Sequence, residues 1–271
     1  MILALRKPLA FVTRDFIDDT SYKLAFILRF SNVFFQVFIF FFLAQLIDGA
    51  NSKHLATYGG SYFAFALIGL AFTRFFYTTL NGLRTYIRDA QLNGTLEALL
   101  ATQTGALTIF GSSMLYPFLF TCMQIVVYFV LGELVFDVNI TWTNLPVALI
   151  VLLLSLISFG SLGFLSAGFI IIYKRGDPVA KLATLMAPLL GGELFPVSVL
   201  PDWLQPISIL LPITHALEGL RLALLQNYSL AQLSSNLLAL VVFAVILTPV
   251  SIIFFQWAIK RAKVEGSLSQ Y

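Results

Sequence analysis

The chain has 271 residues, of which 59% are hydrophobic, 15% aromatic and only 11% charged. A soluble domain carries about a quarter charged residues, so this composition excludes a water-facing surface and describes a polypeptide solvated by lipid. The lone cysteine, Cys122, can form no intramolecular disulfide, and 16 Lys plus Arg against 13 Asp plus Glu leave a net charge of only +3, too little to imply a nucleic-acid partner.

Residues 1–23 are expected to form a helix lying along the inner leaflet. Leu5, Leu9, Val12 and Phe16 recur at helical spacing, and Arg6, Lys7, Arg14 and Asp18 supply a wet side. A cleavable signal is not expected, because Arg14, Asp15, Asp18 and Asp19 interrupt any apolar core.

Six apolar stretches then follow, at residues 24–47, 58–80, 107–136, 145–173, 179–197 and 236–259. A bilayer core about 30 Å thick needs roughly 20 apolar residues per helix, and every backbone polar group must be satisfied internally. The predicted class is an all-α polytopic membrane protein with six spans. Short cytoplasmic loops collect Lys and Arg. Starting the chain inside places 13 of its 16 cations on the inner side: Arg6, Lys7, Arg14, Lys23 and Arg29; Arg84 and Arg88; Lys174, Arg175 and Lys181; Lys260, Arg261 and Lys263. Both termini are therefore expected in the cytoplasm, with the protein in the cell membrane.

Between the second and third spans, residues 84–104 form a long polar connection, and long ordered connections are often functional. Asn93-Gly94 can start a turn, after which residues 95–101 can form a short helix with Glu97 near its positive end. Leu96, Leu99 and Leu100 would give that helix an apolar side suited to a partner's groove. An interfacial helix that covers only its own bundle is the alternative.

Between the fifth and sixth spans the sequence is apolar but broken by Pro196, Pro201, Pro206 and Pro212. Proline removes a donor and bends a helix. Two short helices, about 202–211 and 213–226, fit a re-entrant cap packed against protein better than a continuous span. Glu193, His215, Glu218 and Arg221 lie in this segment. They either satisfy one another and nearby backbone or shape an outer gate.

Catalytic chemistry is sparse. Nucleotide binding would require a glycine loop ending in Gly-Lys-Ser/Thr. The nearest segment, residues 176–182, has Lys181 without the preceding glycine or following hydroxyl. Of the two histidines, His54 lies in a short outer loop, and His215 with Glu218 makes a His-x-x-Glu pair that could hold only half a metal site. No cofactor or metal is expected on this chain.

Two ordered motifs resemble a known family. Gly94-Thr95-Leu96-Glu97, followed by Leu99-Leu100 and Thr102, looks like the cytoplasmic coupling helix of type-2 ATP-binding-cassette (ABC) export permeases, with Gln103 where that family has proline. Phe195-Pro196, Leu200-Pro201, Trp203-Leu204, Pro206, Leu211-Pro212 and Thr214 to Arg221 resemble that family's signature before the last span. The resemblance covers nearly the whole chain. It implies a transmembrane domain over 24–271, a coupling helix at about 87–101 and a re-entrant segment at about 198–227. It also implies that Gly94, Thr95, Leu96, Glu97, Leu99 and Leu100 dock on a separate ATPase holding ATP and Mg. Glu193, Pro196, Pro201, Pro212, His215, Glu218 and Arg221 would form the outer gate. A second permease subunit, identical or paralogous, is the other implied partner, and an amphipathic drug, lipid or lipid-linked glycan the implied cargo. A carrier driven by an ion gradient is the alternative, although most ionisable residues fall near span ends rather than mid-membrane. An intramembrane enzyme lacks a catalytic cluster.

Overall fold

The computed structural model describes residues 2–47, 52–174 and 177–265. Arg175 and Gly176, and the side chains of Leu5, Arg6 and Lys53, lie outside the described residues. Among the described residues the chain is all-helical.

The first helix, α1 (Ile2–Ser21), leaves Leu9, Phe16 and Ile17 largely exposed and packs its other side on the bundle. Its exposed residues combine these apolar side chains with Lys7, Arg14 and Asp18, as suits a helix at a lipid surface. Next, α2 (Lys23–Ile47) is long enough to span and exposes most of its surface. One helical turn, α3 (Ser52–Leu55), and a 3-10 turn (Ala56–Tyr58) lead into α4 (Tyr62–Leu92).

The start of α4 corrects the predicted boundary at 58. Gly59 and Gly60 adopt positive φ, and the Ser61 hydroxyl accepts from Ala64 N–H, so the helix starts one turn later. It also continues to Leu92 rather than ending at 80. Residues 84–92 of the predicted long loop are thus the last turns of α4, and Asn93 to Thr95 separate it from α5 (Leu96–Ala101).

Two helices, α6 (Ala106–Ser113) and α7 (Leu115–Phe136), meet at Met114 and together make the third span. The fourth, α8 (Leu145–Tyr173), packs most extensively on α4 and on the final helix, α12 (Ser234–Val264). Small side chains allow that approach. A Cβ on Gly163 would lie 2.8 Å from the Thr79 carbonyl, and Ser158 and Ser161 bond across to Leu240 O and Thr248 at 3.3 and 2.9 Å.

The fifth apolar stretch departs most from expectation. Its helix, α9 (Pro178–Leu190), is capped by Asp177, whose side chain accepts from Ala180 N–H, and stops before Gly191-Gly192 instead of reaching 197. Thirteen residues rise only about 20 Å, well short of a hydrocarbon core. The remaining depth is filled by a 3-10 turn (Val197–Val199), α10 (Gln205–Ile209) and α11 (Pro212–Gln226). Proline opens both short helices at N1 or N2, where its missing N–H costs nothing.

Candidate functional site

The knob at one end of the bundle is built by a left-handed turn. Gly94 takes φ +66°, and Thr95 N–H returns to Ala90 O at 2.9 Å, reversing the chain directly after α4. A Cβ on Gly94 would meet nothing within 4 Å, so the backbone conformation itself selects glycine here.

The faces of α5 correct the sequence reading. Leu96 is 1% exposed and Leu100 8%, both inside a cluster with Leu83, Ile87, Phe110 and Ile171, and Leu99 packs partly against it. Leu96 and Leu100 root the knob in its own bundle, and Leu99 stays partly exposed. The outward face consists of Gly94, Thr95, Glu97, Ala98 and Ala101. Periodicity identified an amphipathic turn but could not say which face the fold would bury.

Neighbouring elements brace the knob. Lys263 Nζ donates to Leu100 O at 3.4 Å, and Lys7 Nζ donates to Thr104 Oγ1 at 2.9 Å. Nearby, Asp177 is 4% exposed and joins three helices. It accepts from Arg84 of α4 at 3.3 Å, from Ser166 of α8, and from the first turn of α9. No motif in the sequence singled out Asp177. The local signal was Asp-Pro opening an apolar run, the pattern of a helix N-cap.

At the opposite end Arg221 is 2% exposed and its guanidinium is spent on backbone. Nε donates to Phe65 O at 3.2 Å, Nη1 to Gly192 O at 2.5 Å and Nη2 to Glu193 O at 2.7 Å, with the group also lying over the Phe65 ring. One side chain thereby satisfies the carbonyls left open where α9 stops. Glu218 accepts from Tyr58, and His215 places its ring nitrogens 3.4 Å from Asn236 Oδ1 and 2.9 Å from Ile209 O. The His-x-x-Glu pair therefore has separate partners. The Glu193 carboxylate keeps one oxygen, Oε2, without a partner among the described residues. Pro196 precedes the 3-10 turn, Pro201 O accepts from Leu204 and Gln205 N–H ahead of α10, and Pro212 opens α11. The residues expected at the outer gate are thus gathered in one cap, where Arg221 fastens backbone.

Two further residues of α4 lie outside the motifs of the sequence. Gly69 faces this cap so closely that a Cβ would sit 2.3 Å from Glu193 O. Arg74, inside α4, lines an open cavity of about 710 Å³ with residues of α1, α2 and α7. A cation within an apolar span was the available signal.

A family description, ABC-2 type transporter, matches residues 9–225. Among curated proteins no match was found. The matched region runs from the first helix through the last residues of the cap, takes in both the knob and the fastening arginine, and covers most of the chain. With its apolar spanning helices, this chain belongs to the ABC-2 type transporter family and is a multi-pass membrane permease subunit.

Proposed function

We propose that this permease is the membrane half of an ATP-driven exporter, moving an amphipathic or hydrophobic substrate out of the cytoplasm of the cell. Two such subunits, identical or paralogous, pair with two cytosolic ABC ATPases that hold ATP and Mg. The chain is no ATPase by itself, and translocation requires the complex. Both termini and α5 lie on the cytoplasmic side, where the cations of the loops gather.

The observation that carries this reading is the construction of α5: a short helix rooted by Leu96 and Leu100, presenting Glu97 outward, at a bundle end braced by Lys7 and Lys263. A rooted knob transmits a push to α4 and α12, whereas a loosely attached loop would absorb it. The test is co-purification of the chain with its ATPase and measurement of hydrolysis. Glu97→Arg should abolish association or coupled hydrolysis while leaving the chain folded. Transport by the isolated chain under an ion gradient would overturn the reading.

A further inference from the structure

Arg74 sits about 18 Å along α4 from Tyr62 and about 27 Å from Leu92, toward the inner end of the apolar part of the helix. Among the described residues only its Nε has a protein acceptor, Gln124 Oε1 at 3.2 Å. The two terminal nitrogens, with four N–H donors, have none among the described residues, and no carboxylate lies within ion-pair distance. Gln124 is itself 1% exposed and is held in place by donating to Arg29 O at 3.4 Å. The arginine is therefore positioned by a fixed neutral amide with its fork left open. A charge inside a membrane is costly and marks function unless it is neutralised.

The surrounding charges do not neutralise it. Arg29 is bonded to Asp19 at 2.5 Å, and Asp19 also accepts from Tyr116 at 2.7 Å. Asp15 is engaged by Arg14 at 2.7 Å. Asp18 of α1 and Asp89, about 22 Å further along α4, also line the cavity, and both are exposed. The lining carboxylates are thus either paired or exposed to solvent, and the fork of Arg74 lines the cavity without a counter-ion among the described residues. Around it stand Tyr77, Phe120 and Met114, and the cavity volume of about 710 Å³ is that of a drug-sized ligand.

We infer that this chamber binds an amphiphile whose head is an oxyanion, a phosphate or carboxylate, taken in the open fork of Arg74 while the apolar part lies along the aromatic wall. The planar fork of arginine matches such a head through two parallel N–H···O bonds. This inference deepens the exporter reading by naming its substrate class, and rests on that reading only in treating the bound molecule as cargo.

The purified full-length chain in non-ionic detergent, without ATPase or nucleotide, tests it by equilibrium binding of radiolabelled dodecyl phosphate, with dodecanol, dodecylamine and inorganic phosphate as competitors. Dodecyl phosphate should bind about tenfold or more tightly than dodecanol, as charge-assisted hydrogen bonds predict. Arg74→Gln should erase that preference while keeping the binding of dodecanol, and Arg74→Glu should transfer it to dodecylamine. Equal affinity of the wild-type chain for dodecyl phosphate and dodecanol overturns the proposal whether or not the variants fold. Inorganic phosphate competing as strongly as dodecyl phosphate overturns the amphiphile assignment in favour of a free-anion site. Because no ATPase is present, failure here leaves the exporter reading intact, and failed ATPase association would leave this binding result standing.

Discussion

The Tyr58 hydroxyl donates to the Glu218 carboxylate across 2.5 Å, joining the 3-10 turn before α4 to the middle of α11. Burial, and next the charge of Glu218, hold the Tyr58 hydroxyl protonated well above the usual phenol range. Tyr58→Phe should lower stability by about 1–3 kcal/mol, because it strands a partly buried carboxylate. A raised folded pKa favours the protonated form in the fold, so this contribution is complete below the unfolded value of about 10 and is lost as pH climbs through the folded one. Thermal melts of wild type and variant should therefore differ by a constant amount from about pH 6 to 9 and converge only in strong alkali. Convergence already near neutrality would contradict the assignment.

Gly69 and Arg221 should behave as one unit. Gly69→Ala drives a methyl group against Glu193 O and against Arg221 Nη2, which would lie 2.7 Å away. The obstacle is largely backbone, so a loss of at least about 2 kcal/mol is expected. Arg221→Met should cost at least about 3 kcal/mol by leaving the carbonyls of Phe65, Gly192 and Glu193 without that donor. The double variant should be less than additive in detergent melts, since both changes release the same contact.

The two faces of α5 separate folding from coupling. Leu96→Ala should destabilise by about 2–5 kcal/mol, as large-to-small core changes do. Glu97→Arg should leave the melting temperature within about 1 °C of wild type, because exposed positions contribute little to stability, yet should disrupt ATPase-linked activity. Size-exclusion profiles, melts and hydrolysis rates on the same preparations distinguish the outcomes. A folded Leu96→Ala chain with unchanged stability would show that α5 is not rooted as described.

Asp177 performs two jobs that substitution can split. Asp177→Asn retains a capping oxygen for Ala180 N–H but loses the charge that faces Arg84, whereas Asp177→Ala loses both. The alanine variant should cost about 2–4 kcal/mol and the asparagine variant less than half of that. Limited proteolysis between α8 and α9 should report the same order. Equal sensitivity of the two variants would assign the whole effect to the ion pair.

Much of the architecture is legible in residue patterns. Apolar runs located the spanning helices, Asn93-Gly94 marked the reversal after α4, and the four prolines marked the broken cap. Other features depend on tertiary context. Leu96 and Leu100 look alike whether they face a partner or their own bundle, and only packing against Ile87 and Phe110 decides. The length of α9 was misread because residues 191–197 are apolar enough for lipid, while Gly191-Gly192 already carried a stop signal. Gly59-Gly60-Ser61 likewise announced the delayed start of α4. Arg74 was visible as a residue, but its open fork depends on Gln124, fifty positions away.

The brevity of α9 determines what must give way if this end of the protein is to open. A full-length helix would have to tilt as a rod or unwind, breaking a ladder of internal bonds. Here the backbone of Gly192 and Glu193, just beyond Leu190, is tied to α4 and α11 by the guanidinium of Arg221. Releasing these two residues would mean exchanging donors at Arg221, with no helical ladder to break.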